Sequence, residues 1–131
     1  FRWPMRIYWE DTDAGGVVFY ANYLKLFERA RTEWLRSLGF SQQQLRTETG
    51  LMFVVTDTSV RYLQPAVLDD EVHVTVRLTQ AGRVRLTLDQ IAWRGNTRLA
   101  EGRIRIACVD AVQLKPAAFP PTLAACLPTI T

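Results

Sequence analysis

The sequence predicts an α+β fold in which an antiparallel β-sheet of about five strands wraps round one long central helix. Three observations carry that prediction. Around residues 21–38, apolar side chains recur at Tyr20, Tyr23, Leu24, Phe27, Ala30, Trp34, Leu35 and Leu38, the i, i+3, i+4, i+7 stripe of an amphipathic helix. From residue 51 onward the period changes to two, with short turn signals between runs, so consecutive strands pair antiparallel and parallel crossover units are disfavoured. A helix of about 18 residues is also about 27 Å long, close to the width of four or five strands at about 4.8 Å spacing.

Each element has its own local reason. Trp3, Met5, Ile7 and Trp9 alternate with Arg2, Pro4, Arg6 and Tyr8, as in a half-buried strand, and Pro4 places that strand at a sheet edge or its own start. Next comes Glu10-Asp-Thr-Asp-Ala-Gly-Gly-Val-Val-Phe-Tyr-Ala-Asn-Tyr23, where carboxylates, a flexible Gly15-Gly16 backbone and a helix start converge. The polar face of the long helix carries Lys25, Glu28, Arg29, Thr32, Glu33 and Arg36, with Lys25 and Glu28, and Arg29 and Glu33, spaced for pairing. Gly39 stops it. Ser41-Gln-Gln-Gln-Leu-Arg46 reads as a short capped helix ending before Gly50.

Residues 51–63 form the next strand, and Pro65-Ala-Val-Leu-Asp-Asp70 a loop. Val72, Val74, Val76 and Leu78 then alternate with polar residues, and Ala81-Gly82 turns the chain. Val84, Leu86 and Leu88 continue the alternation until the phase slips near Gln90, so that Ile91 and Trp93 follow at a bulge. After Gly95-Asn96, Ala100, Gly102, Ile104, Ile106 and Cys108 face one way, and Glu101, Arg103 and Arg105 the other. Residues 112–131 hold four of the six prolines and no periodicity, so they are expected as an extended tail packed on a domain formed by residues 1–111.

A chain of 131 residues with 48% hydrophobic content, 11% aromatic, suits one domain with a real core. The net charge of +3 comes from fourteen arginines against two lysines, a balance suited to planar phosphate or carboxylate recognition. No interleaving of aromatic and basic residues marks an RNA-binding motif, so nucleic acid is not an expected partner. Cys108 and Cys126 match no zinc spacing and are too few for a disulfide scaffold, which predicts free thiols in a reducing, cytoplasmic setting. No apolar run approaches the ~18 residues of a membrane span. Phe1-Arg-Trp-Pro-Met-Arg6 lacks a signal-peptide layout, and a start at Phe1 fits with residues upstream of it.

The layout, together with Tyr8-Trp-Glu-Asp-Thr-Asp-Ala-Gly-Gly-Val-Val-Phe-Tyr-Ala-Asn-Tyr23 and Phe27-Glu-Arg-Ala-Arg-Thr-Glu33, resembles the hotdog-fold acyl-CoA thioesterases, in particular the Tol-Pal-associated branch of the 4-hydroxybenzoyl-CoA thioesterase-like family. Asp57-Thr-Ser-Val-Arg-Tyr-Leu-Gln-Pro-Ala66 and Leu68-Asp-Asp70 are similar to that branch too, leaving only the tail unmatched. The resemblance implies a catalytic aspartate at Asp13 and a thioester-oxygen donor at the Tyr20 backbone N–H. It also implies a homodimer or homotetramer with sites at the subunit interface. Neither metal nor cofactor is expected, coenzyme A being part of the substrate. Trp9 and Phe19 stand where tyrosines are common, and Tyr20 where histidine is usual. A backbone donor does not depend on that side chain.

The residues support the same chemistry. Hydrolysis of a thioester needs an activated water or a nucleophile, and donors for the oxyanion that develops on the carbonyl. The N–H groups near Tyr20, Ala21 and Asn22 lack intrahelical partners and sit at the positive end of the helix dipole. Asp13 serves as general base or as nucleophile, and both routes stay open. Gly16, Val17 and Asn22 are the expected substrate contacts, with Asn22 read first as a helix cap. Taken alone, an Asp-x-Asp before a glycine turn reads as a loop that satisfies its own backbone. With the resemblance, Asp13 reads as catalytic, Asp11 as structural and Glu10 as a solvated strand end.

Other chemistries fit less well. The loop begins like a calcium site, but Asn22 stands at its twelfth position where a bidentate glutamate is needed. The only histidine, His73, lies on the polar side of a strand with no nucleophile motif beside it. Arg61, Arg77, Arg83, Arg85, Arg103 and Arg105 read as a solvated face or subunit interface, while arginine forks or Lys115 also suit the phosphates of coenzyme A. Leu26, apolar but off the helix stripe, points to subunit pairing. The competing reading is a non-catalytic scaffold linked to the cell envelope, binding acyl-CoA or an acyl-carrier protein, in which Asp13 only holds its loop. An acyl-carrier protein is in either case a candidate partner beside acyl-CoA.

Overall fold

A computed structural model describes residues 1–130. The long helix α1 spans Asn22–Ser37 and buries Tyr23, Leu26, Phe27, Ala30, Trp34 and Leu35. This face is rotated from the expected stripe. Leu26 lies in the core, whereas Leu24 and Tyr20 are exposed, so Leu26 does not argue for subunit pairing. Spacing defines a stripe but not its edges, and here the curved sheet covers the Leu26 side. The expected Lys25–Glu28 and Arg29–Glu33 pairs are replaced by an Arg36–Glu33 ion pair and a Thr32 hydroxyl donating to Glu28. Helix α2, Gln42–Thr49, is capped by Ser41 and closed by Gly50 at φ 71°, as its sequence predicts.

The strands are β1 (Arg2–Arg6), β2 (Leu51–Tyr62), β3 (Glu71–Thr75), β4 (Arg77–Ala81), β5 (Arg85–Arg94) and β6 (Thr97–Asp110). They form one antiparallel sheet in the order β1-β3-β5-β6-β2, with β4 also on β5. The sixth segment arises where one expected strand is interrupted at Val76, whose N–H donates to the Phe1 carbonyl at 3.0 Å. β1 is shorter than its alternation suggested. Residues Trp9–Asp11 form a 3₁₀ turn, so Trp9 is 79% exposed rather than buried, and Glu10 belongs to that turn and not to a strand end.

Gln90 corrects another expectation. Leu86, Leu88, Gln90 and Ala92 all point inward, so the phase does not slip there, and Ile91 and Trp93 lie on the outer face. The irregular step falls instead between Ala92 and Trp93. Gln90 is fully buried because its amide is satisfied: Nε2 donates to the Phe27 carbonyl at 3.0 Å, and Oε1 accepts from Arg31 at 2.9 Å. This pair of bonds ties α1 to the middle of the sheet. The segment expected as an extended tail contains helix α3, Pro121–Cys126, and sends Phe119 and Leu123 into the core. Proline at the first helical position favours that start.

On the outer face, Asp89 is held by Arg103 through two hydrogen bonds, at 2.9 and 3.2 Å, and by Arg77 at 3.2 Å. The Arg103 hydrogen bond, opposed by partial burial and assisted by Arg77, depresses the Asp89 pKa. A depressed carboxylate stabilises the fold above its ordinary value of 3.8 and loses that contribution as pH falls through the lower folded value. Asp89→Asn is therefore expected to cost under about 1 kcal/mol at neutral pH. Urea unfolding at pH 7 and at the most acidic pH the fold tolerates checks the sign: the difference from the parent must shrink on acidification.

Candidate active site

The stretch from Thr12 to Val18 is a miniature hairpin closed by a Thr12–Val18 bridge. Inside it, the Asp13 N–H donates to Val17 O at 2.8 Å and the Gly16 N–H to Asp13 O at 3.0 Å. The Asp13 carboxylate accepts the Gly15 N–H through Oδ1 at 2.8 Å, and no hydrogen bond among the described residues uses Oδ2. Gly15 permits this close turn, since a Cβ there would stand 3.2 Å from Oδ1, and Gly16 adopts φ +80°. Asp13 thus satisfies its own loop, as an Asp-x-Asp before a glycine turn does, without using its whole carboxylate. One oxygen builds the loop, and the other is exposed and free.

Asp11 is the structural member of the pair. It is 5% exposed, and its Oδ2 accepts the Tyr8 N–H at 2.9 Å, which fixes the 3₁₀ turn. Its carbonyl accepts the Phe19 N–H and the Asn22 side-chain amide, both at 3.0 Å. Asn22 therefore does not cap α1. It is the first helical residue, behind an Ala21 cap that makes no side-chain bond, and its amide ties the hairpin to the helix start. Val17 bridges to Val67, and the Val18 N–H donates to Ala66 O at 2.8 Å, docking the hairpin on the loop of residues 65–70.

That second loop has its own brace. Asp70 accepts the Val67 N–H at 2.9 Å and pairs with Arg94 at 2.7 Å, while a second Arg94 bond reaches Pro65 O at 3.1 Å.

Of the three candidate donors at the helix start, the Asn22 N–H is committed to Phe19 O at 2.8 Å. The Tyr20 and Ala21 N–H groups have no partner among the described residues. Two uncommitted N–H groups at the positive end of a helix, beside a hairpin bearing a free carboxylate oxygen, can stabilise a developing oxyanion while the carboxylate activates an attacking group. Sequence reasoning missed the aromatic residues behind them. Tyr62, at the end of β2, donates its hydroxyl to Tyr20 O at 3.0 Å, and buried Tyr23 accepts the Ala66 N–H at 3.1 Å. The rings of Tyr20 and Tyr23 meet Tyr62 edge-on at 6.1 and 5.5 Å. Burial raises both the Tyr23 and Tyr62 pKa values, so these phenols keep their protons.

Two hollows among the described residues lie away from this site. A hollow of about 810 Å³ lies on the outer sheet face beside Arg77, Trp93 and Arg98, and one of about 230 Å³ lies between α1 and β2 beside Arg31, Trp34 and Phe53. Asp13 and Tyr20 line neither. Tyr8, Trp9, Phe19, Tyr20 and Leu24, which flank the hairpin in the chain, are exposed large hydrophobic residues. His73 stacks on Trp93 on the outer face, and Cys108 is buried. Among the described residues, no three His, Cys, Asp or Glu side chains cluster as metal ligands, and no helix is long and apolar enough to cross a membrane.

Comparison with known proteins gives concordant findings. Residues 7–127 match the model of the thioesterase-like superfamily. The chain is 45% identical over 126 residues to the acyl-CoA thioester hydrolase YbgC of Escherichia coli O6:H1, covering 95% of this chain and 93% of that protein. It is 44% identical over 120 residues to the acyl-CoA thioesterase YbgC of Haemophilus influenzae, covering 92% and 88%. A solved structure of a probable thioesterase from Bartonella henselae superposes with a TM-score of 0.88 at 31% identity, covering 92% of this chain and 98% of that one. Sheet, helix and order of elements are those of the hotdog fold.

Proposed function

The chain belongs to the thioesterase-like superfamily, and from that premise we propose how it hydrolyses acyl-CoA thioesters to a free acid and coenzyme A. The thioester oxygen lies against the Tyr20 and Ala21 N–H groups. Asp13 either takes a proton from the attacking water or attacks the carbonyl carbon itself. In the first route, water oxygen bonds to the carbonyl carbon, the carbon–sulfur bond breaks, and the proton passes to the departing thiolate. In the second, an Asp13 oxygen bonds to the carbonyl carbon as the carbon–sulfur bond breaks and the thiolate departs; water then cleaves the mixed anhydride to the free acid and the Asp13 carboxylate, and the proton it releases passes to the thiolate. Gly16, Val17 and the Asn22 region line the approach, Asn22 mainly by holding the helix start.

The observation that carries this reading is that the Tyr20 and Ala21 N–H groups have no partner among the described residues, while exposed Asp13, on the hairpin that the Asn22 amide ties to that helix start, keeps one carboxylate oxygen outside any hydrogen bond there. The working unit in this reading is a dimer. β2 stands at one end of the sheet order and large apolar side chains flanking the hairpin in the chain are exposed, so a second copy would cover surface that one chain leaves open. Pairing of dimers into a tetramer, and an acyl-carrier protein as acyl donor, extend the same reading.

The test is thiol release from short aliphatic, long aliphatic and aromatic acyl-CoAs. Turnover of at least one, with a kcat/KM near or above about 10⁴ M⁻¹s⁻¹, is the expected result, and the preferred chain names the acyl class. Tight binding of every acyl-CoA without thiol release would overturn the hydrolase and leave the binding scaffold.

A further inference from the structure

We propose that Tyr62 is a positioning residue for the oxyanion donors: its hydroxyl, 3.0 Å from the Tyr20 carbonyl oxygen, sets the direction of the Ala21 N–H across the same peptide plane. The inference rests on the reading of these N–H groups as thioester-oxygen donors. In a trans peptide the N–H points opposite to the carbonyl of its own plane, so whatever holds the carbonyl aims the N–H.

The two free donors are held differently. The Tyr20 N–H shares its plane with the Phe19 carbonyl, which accepts the Asn22 N–H at 2.8 Å, so backbone alone fixes it. The Ala21 N–H shares its plane with the Tyr20 carbonyl, whose backbone partner is the Tyr23 N–H at 3.4 Å. That bond lies beyond the usual 2.7–3.2 Å range of N–H···O bonds. The stronger hold is the Tyr62 hydroxyl.

Among the described residues, no other side chain bonds to the Tyr20 carbonyl. Ala21 offers no capping oxygen, and the Asn22 amide is spent on Asp11. Tyr62 takes over the task from a distant strand, and it is itself well placed to do so. Its backbone pairs with Ala100 of β6, and its ring is wedged against Tyr23, whose hydroxyl is anchored on the Ala66 N–H. The donor therefore rests on two strands of the sheet rather than on a loop, which is where precise aim is best supported. Burial, followed by the neighbouring Tyr20 phenol, raises the Tyr62 pKa, so the hydroxyl remains a donor at neutral pH.

Tyr62→Phe removes the hydroxyl and keeps the ring. Four readouts on the full chain decide the matter: kcat, KM, and the affinities of two coenzyme A derivatives. One derivative carries a thioether with no reacting carbonyl; the other carries a trifluoromethyl ketone that forms a tetrahedral adduct. The expected result is a fall in kcat of about tenfold with KM unchanged, an equal weakening of the ketone, and no change for the thioether. A purely structural role would weaken both derivatives together and overturn the proposal, as would an unaltered kcat. Asp13→Asn, run alongside, separates the two levels. If it is inactive while Tyr62→Phe is unimpaired, only the positioning role fails; if Asp13→Asn also turns over like the parent, the reading of the site fails with it.

Discussion

Asp13→Asn is expected to lower kcat by a factor on the order of 10² to 10⁴, with an intact fold and little change in KM. The substitution divides the two oxygens of Asp13 cleanly. Oδ1 accepts the Gly15 N–H at 2.8 Å, a bond that an asparagine carbonyl oxygen can also accept, so the hairpin closes as before. The other oxygen becomes an amide nitrogen, which neither takes a proton from water nor attacks a carbonyl. Loop and chemistry are thereby tested apart, which Asp13→Ala would not achieve because it removes both. Thiol-release kinetics and thermal unfolding on the same preparations give the answer. A mutant with near-parental kcat would mean that Asp13 serves only its turn, and the catalytic group would have to be sought elsewhere.

Much of this architecture can be read from the order of residues, and the failures share a cause. The amphipathic period located α1, and the turn residues located most strands, because both signals are local. Asp13, Gly15 and Gly16 were legible for the same reason, since the hairpin closes on itself. Leu24 and Leu26 were not, because two leucines two positions apart give no local sign of which one the sheet will cover. Gln90 misled because a polar residue on the core phase looks like a change of phase; its partners, the Phe27 carbonyl and Arg31, lie far away in sequence. Tyr62 acts across 42 positions on Tyr20, and only the fold brings them together. In α3, six residues are too few to establish a period, although Pro121 marks its start.

Gly102→Ala is expected to destabilise the fold by about 2 kcal/mol, against the usual gain of about 0.4–1 kcal/mol when alanine replaces glycine in a tolerant backbone. The reason is a close approach, not a special backbone angle. A Cβ on Gly102 would lie 2.7 Å from Phe27 Cε2, closer than side chains come, and tight against Ile104 Cδ1 at 3.1 Å and Phe27 Cδ2 at 3.2 Å. Phe27 is fully buried, and its carbonyl is bonded to Gln90, so the ring cannot swing into solvent. Either the ring leaves its rotamer or α1 lifts from the sheet. Phe27→Leu alone opens a cavity and also costs stability, yet the two changes relieve one another, so the double mutant should lose at least about 1 kcal/mol less than the sum. Additive losses in urea denaturation would show that the contact does not set the helix height. The same displacement has a catalytic reading, because Phe27 lies about two helical turns beyond Tyr20. A lifted helix carries its free N–H groups away from the thioester oxygen, so Gly102→Ala should lose kcat as well as stability, and Phe27→Leu in the same chain should restore part of both.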